Sequence, residues 1–310
     1  MDSLNLVTFV TAGDLVDSKD VSPPNYILKG LESAHVGMLL AAPEMGKSQL
    51  CFSIAIENST SLKLLGLSVN STMQKTLLIS AEDSVSVVKE QMSEKLKALP
   101  HKIRKQARDN IVTFSARAPF VTPPDAGLAD QNFTEAYISR IINLIKENDI
   151  NLVVIDTVSE VIGACDEIKH DRIIKNTFQR IARESGAALL LVHHVNKAEI
   201  RGEADVSMAS GAGLTTVMRL SKLILGITSG KDSKKQLNFL KANYLSKSEK
   251  QGFELCFSEG LFVNPTVANL KNAPSKQKAP TRPNPIVIER DEVEVNVEGK
   301  RAKDIIRNAF

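Results

Sequence analysis

The residues Gly46-Lys47-Ser48 close the run V-G-M-L-L-A-A-P-E-M and open the helix-like stretch Gln49 to Glu57. A glycine, a cation and a hydroxyl at a strand-to-helix turn have the chemistry of a phosphate site. In the pattern G-x-x-x-x-G-K-[ST], successive backbone N–H groups point inward and form a nest for phosphate oxygens at the positive end of the helix. Ala42, Pro43, Glu44, Met45, Gly46, Lys47, Ser48 and Gln49 are the candidate nucleotide-binding residues. Lys47 would reach the terminal phosphates, and the Ser48 hydroxyl would ligate the magnesium that bridges them. A nucleoside triphosphate is the expected ligand. G-K-S alone is a common tripeptide, so the strand before it and the helix after it carry the inference. Ala41 stands where the pattern has its first glycine, and Glu44 places a carboxylate near phosphate, which should weaken binding slightly.

Several other residues have suitable chemistry. Asp156 ends the apolar run N-L-V-V-I-D, in the order expected after such a loop, where a carboxylate can hold a magnesium-bound water beside Ser48. Alternatively it caps the next helix. Glu82 and Asp83 follow T-L-L-I-S, at the strand end where open α/β sheets bind ligands. Glu82 is the better candidate to deprotonate an attacking water, and Asp83 serves equally well as a helix cap. His193 and His194 close A-A-L-L-L-V. Adjacent strand residues point to opposite faces, so at most one of them faces the nucleotide, and without Cys or further His nearby they do not suggest a metal site. Arg219, in V-M-R-L-S-K-L, is placed on or entering a strand. It is either a solvent-facing residue or a cation offered to a neighbouring subunit's nucleotide. The small, glycine-rich segment 197–213 is a surface loop or a pore loop. In the latter case Lys197 and Arg201 would meet a phosphate backbone.

These residues need a scaffold. The short apolar runs 76–80, 151–156 and 187–194 fit parallel strands buried on both faces. Between them, 85–99, 133–146 and 173–184 have helical spacing, the last ending at Gly186. This alternation predicts an α/β fold with a largely parallel, twisted sheet covered by helices on both faces. After Gly213 the stretches 217–228, 236–245 and 253–263 read as strands separated by turns, extending the sheet with antiparallel hairpins. Residues 271–285 carry four prolines and no apolar periodicity. The expected organisation is a segment 1–24, a core 25–268, a linker 269–285 and a tail 286–310 that holds one strand, at 286–288 or 293–297, and a short helix.

At 310 residues and 43% hydrophobic composition, the chain can bury a large core. It has no apolar segment of membrane-spanning length and no basic-then-apolar amino terminus, so a soluble cytoplasmic protein is expected. Cys51, Cys165 and Cys256 lack C-x-x-C spacing and read as reduced, buried residues. Net charge is +3. Residues 271–310 hold nine basic against six acidic residues, leaving a balanced body in which nucleic-acid contact would have to be local.

In order along residues 25–265, the approach N-Y-I-L-K-G-L-E-S-A-H-V-G-M-L-L, the G-K-S loop, I-S-A-E-D, V-V-I-D-T, L-V-H-H-V-N-K and S-G-A-G-L-T-T-V-M-R resemble the RecA-like core of hexameric replicative helicases. The closest resemblance is to the RepA-type ATPases of plasmids and mobile elements. It implies ATP and Mg2+ as ligands, Glu82 as the activator of water, Asp156 as metal support, His194 as a sensor coupling nucleotide state to the DNA-facing loop, and Arg219 as a finger acting in trans. It also implies a head-to-tail ring, a hexamer threading single-stranded DNA, with an initiator or primase as a possible partner. Ser84 stands where the family pattern has proline after A-E-D, and the tail from residue 271 has no counterpart in it. A recombinase-like filament former or regulatory ATPase would share the same site, as would a small-molecule kinase.

Overall fold

The apolar runs become the centre of one large sheet in the computed structural model, which describes residues 11–17, 23–70, 72–194, 214–229 and 234–268. Lys197, Arg201, the linker 269–285 and the tail 286–310 lie outside the described residues. A short helix α1 (Ala12–Asp17) precedes a small antiparallel pair, β1 (Tyr26–Leu28) and β2 (Leu31–Glu32). The phosphate-loop strand β3 (Val36–Ala41) leads to α2 (Lys47–Ser59). Then come β4 (Lys75–Ser80), α3 (Val85–Ala98), α4 (His101–Asn110), β5 (Ile111–Ser115), α5 (Leu128–Glu147) and β6 (Ile150–Asp156). A single turn α6 (Val158–Val161), α7 (Asp171–Ser185) and β7 (Ala188–His194) follow. The described chain resumes with α8 (Thr215–Leu220) and ends in β8 (Leu223–Ser229), β9 (Lys235–Ala242), β10 (Phe253–Ser258) and β11 (Leu261–Val263).

Nine strands form the sheet in the order β11-β10-β9-β8-β3-β7-β6-β4-β5. From β8 to β5 neighbours are parallel, and β9, β10 and β11 continue the sheet antiparallel. Strand side chains alternate between two cores. Met38, Leu40, Val153, Ile155, Leu189 and Leu191 face α5, α7 and α8. Leu39, Ala41, Leu152, Val154, Leu190 and Val192 face α2 and α4. Both faces of the central strands are therefore covered, and these strands carry no polar alternation. Among the described residues, no helix is long and apolar enough to cross a membrane.

The carboxyl-terminal half departs from the expected strands. Residues 217–228 divide into α8 and β8, because Leu214, Val217 and Met218 stand at i, i+3 and i+4 and bury together against the α7 side. β8 joins the parallel part of the sheet beside β3, and only β9 to β11 are antiparallel. Residues 253–263 are two strands folded about Glu259 and Gly260, both at positive φ. Two elements had no clear apolar pattern: α4, H-K-I-R-K-Q-A-R-D-N, buries only Ala107, and β5 is an edge strand of five half-buried or exposed residues.

Helix α2 is buried on nearly every side, with eleven of its thirteen residues inside. Several of its polar side chains are accordingly paired, although Gln49 Oε1 and Asn58 Oδ1 are buried without a partner among the described residues. Ser53 Oγ accepts the Phe262 N–H of β11 at 2.8 Å, and Ser59 Oγ donates to Thr76 Oγ1 at 2.8 Å. Glu57, 2% exposed, accepts four backbone N–H groups: Leu64 at 2.9 Å, Leu65, Gly66 at 3.0 Å and Ser68 at 2.8 Å. This carboxylate organises the loop after α2, and Asn264 N–H in turn bonds Leu64 O at 2.7 Å. Removing a buried acceptor strands several donors at once. Glu57→Ala is therefore expected to destabilise the fold by about 3 kcal/mol or more, read as a lower urea midpoint at unchanged slope.

Candidate functional site

Ala41 ends β3 at the middle of the sheet, between β7 and β8, and the chain turns there into α2. Gly46 precedes α2 with φ +87°, and a Cβ on it would fall 2.7 Å from Phe262 Cε2. Conformation and space both require glycine. No side chain caps the α2 amino terminus, so its first N–H groups remain free to meet an anion. Two lysines hold the loop by its carbonyls: Lys47 Nζ donates to Ala42 O at 3.2 Å, and Lys235 Nζ, from β9, donates to Met45 O at 2.9 Å. Burial lowers the pKa of both. For Lys47, the negative charges of Asp156 and then Glu82 oppose that effect.

The carboxyl ends of β4, β6 and β7 face this loop. Asp156 closes β6 in register with Ser80 of β4, and the Ser48 hydroxyl bonds its carboxylate. Burial pushes the Asp156 carboxyl up, the Ser48 bond opposes this, and repulsion from Glu82 adds to it. Glu82 Oε1 accepts the Thr157 hydroxyl at 2.9 Å and lies 3.2 Å from His194 Nε2. Three strand ends thus fix one carboxylate. The hollow is about 720 Å³ and is lined by Lys47, Ser48, Glu82, Asp156, His194 and Lys235, among others. Gln49 also lines it, and its Oε1 is buried without a hydrogen-bond partner.

Ser48 Oγ and the Asp156 carboxylate are hard oxygen donors suited to magnesium, and a cation there would relieve the crowding of Asp156 and Glu82. No cluster of three or more His, Cys, Asp or Glu able to hold a metal occurs among the described residues. Two protein donors with phosphate oxygens and water completing the shell is how magnesium is ordinarily held. The arrangement can therefore seat a polyphosphate on backbone N–H groups and ammonium ions, with a carboxylate opposite to orient water.

The structure gathers Lys47, Ser48, Glu82, Asp156 and His194. It does not bring Arg219 to them. Arg219 is exposed on α8, which leads into the start of β8, where Lys222 N–H bonds Val36 O at 2.9 Å. That is the end of β3 opposite the phosphate loop. Asp83 is not the α3 cap; Ser84 is, accepting Val87 N–H. Thr157, Lys235 and Phe262 are site residues that sequence reasoning missed. Thr157 directly follows Asp156, whereas nothing local marks the other two.

His193 points away from the nucleotide side, onto the face that carries α6. It is 4% exposed, and its Nδ1 lies 3.3 Å from Ser159 Oγ. Burial, helped by the positive charges of His194 and Lys47, lowers its pKa from 6.5 to about 4. Between those values the unfolded chain binds a proton that the folded one does not, so stability should fall as pH drops from 6.5 to 4. The shift corresponds to about 3 kcal/mol at most. His193→Gln should flatten this part of the pH–stability curve in chemical denaturation series.

Comparison with curated proteins returns no match. The family model described as an AAA domain matches residues 2–199, which is more than half of the chain and includes the phosphate loop, Glu82, Asp156 and His194. The chain belongs to this AAA domain family and is a P-loop ATPase.

Proposed function

We propose that this ATPase is the motor of a ring-shaped replicative DNA helicase of the RepA type, which hydrolyses ATP with Mg2+ while translocating on single-stranded DNA. One observation carries the reading. His194 touches Glu82 in the hydrolysis centre and is the last residue of β7, and the segment bearing Lys197 and Arg201 follows it directly. A change of charge beside Glu82 would thereby reach the root of the segment that bears Lys197 and Arg201.

In this reading the loop N–H groups and Lys47 bind the β- and γ-phosphates, Lys235 holds the loop in its cradle, and Glu82 orients the attacking water and accepts its proton. Thr157 and His194 fix the Glu82 carboxylate for that task. Ser48 and Asp156 would hold magnesium, which supplies charge neutralisation on the phosphate oxygens. Arg219 lies too far from its own loop to serve it, which supports a role at a neighbouring copy's nucleotide in a head-to-tail ring, a hexamer in the proposed form. Contact with an initiator or primase belongs to the same proposal.

The test is strand displacement on forked DNA with and without ATP. Displacement should need ATP and disappear in Lys47→Ala, whose turnover is expected to fall about 100-fold or more. Near-normal hydrolysis in Lys47→Ala would remove the site. Wild-type hydrolysis without displacement, with assemblies that lengthen as protein concentration rises, would favour a recombinase-like or regulatory ATPase. Arg219→Ala should still bind ATP while turnover drops about 1,000-fold. Mixing it with Lys47→Ala subunits should restore part of the activity, and an inactive mixture would count against action in trans.

A further inference from the structure

The sheet ends at β5, which among the described residues pairs with β4 alone. Its outer N–H and C=O groups form a row with no strand partner, a feature that folded proteins usually cover or guard. A recess of about 800 Å³ runs along this edge, between α3 and α4 on one side and Leu144 of α5 on the other. Its two sides differ in charge, although Val88, Met92 and Leu96 of α3 add apolar surface to the basic side. Val112 and Phe114 share the apolar α5 side with Leu144. Lys89 and Lys97 of α3 and Arg104 and Arg108 of α4 line the opposite side, and Arg117 lies past the strand end. Lys89, Lys97, Arg108 and Arg117 make no ion pair with a described residue. Arg104 donates Nη2 to Lys97 O and Leu99 O at 2.9 and 3.0 Å, while its Nε is buried without a partner.

An extended occupant with one apolar and one acidic face fits this edge. Residues 292–298 of this chain read Glu-Val-Glu-Val-Asn-Val-Glu, a strict alternation that puts Val293, Val295 and Val297 on one face of a strand and Glu292, Glu294 and Glu298 on the other. Over 292–298 there are three acidic residues and no basic one. The seventeen residues 269–285 reach up to roughly 56 Å when extended. Nine strands span about 38 Å, so the reach suffices in the same copy or a neighbouring one.

We propose that residues 292–298 add to β5 as a tenth strand of the sheet. The valines lie toward Val112, Phe114 and Leu144, and the glutamates lie toward Lys89, Lys97 and Arg108. Main-chain hydrogen bonds along the edge supply the binding, and the two faces set the register. The proposal is independent of the nucleotide site and of the helicase reading.

Hydrogen exchange on the full chain tests it. The amides of 292–298 and of β5 should both be protected. In the double variant Lys97→Glu, Arg108→Glu, exchange at both places should speed up about 10-fold or more, while α2 keeps its protection and ATP turnover is unchanged. Adding Glu292→Lys and Glu294→Lys to that variant should restore protection at both. Free exchange of 292–298 in the unaltered chain overturns the proposal, as does protection that ignores the charge reversal. A protected β5 beside a freely exchanging tail also overturns it and assigns the groove to a different occupant.

Discussion

The constraint on which everything else rests is the burial of α2. A helix enclosed on nearly all sides cannot shift without opening both the sheet and β11, so its amino terminus is held at a fixed point above the strand ends. The enclosure comes at the cost of burying polar groups, several of which the fold offsets: Ser53 with Phe262 N–H, Ser59 with Thr76, and Glu57 with the loop beyond. What results is a row of unpaired N–H groups whose direction does not depend on side-chain flexibility.

Around that fixed point the charges oppose one another. Asp156 and Glu82 repel, and the buried Lys47 feels the negative charge of both. A polyphosphate with a divalent cation would bring charge of both signs beside Lys47 and Asp156. His194 is the member of this set that also borders a segment outside the hollow.

Sequence made the parallel half of the molecule legible and the rest much less so. The runs ending in Ser80, Asp156 and His194 are continuously apolar because helices cover both faces, and that pattern has no local competitor. Strand ends also follow from such runs, so Glu82, Asp156 and His194 could be placed by position alone. β5 and α4 escaped notice because an edge element buries too little to imprint a pattern. α8 was misread as strand: Val217, Met218 and Leu220 satisfy either periodicity over so short a stretch, and packing against α7 decided it. Lys235 and Phe262 could not have been found. Their partners, Met45 and Gly46, lie 190 and 216 residues earlier, and contacts at that separation leave no local trace.

Lys235 and Phe262 carry a further consequence. Both fall outside residues 2–199, the stretch shared with the AAA domain family, yet one bonds the loop carbonyl and the other abuts its glycine. The candidate phosphate site is thus composite: the stretch matched by the family model supplies its floor, and β9 and β11 supply a wall. A substitution at Lys235 or Phe262 could therefore alter how firmly the loop is held while every residue of the G-K-S signature stays in place.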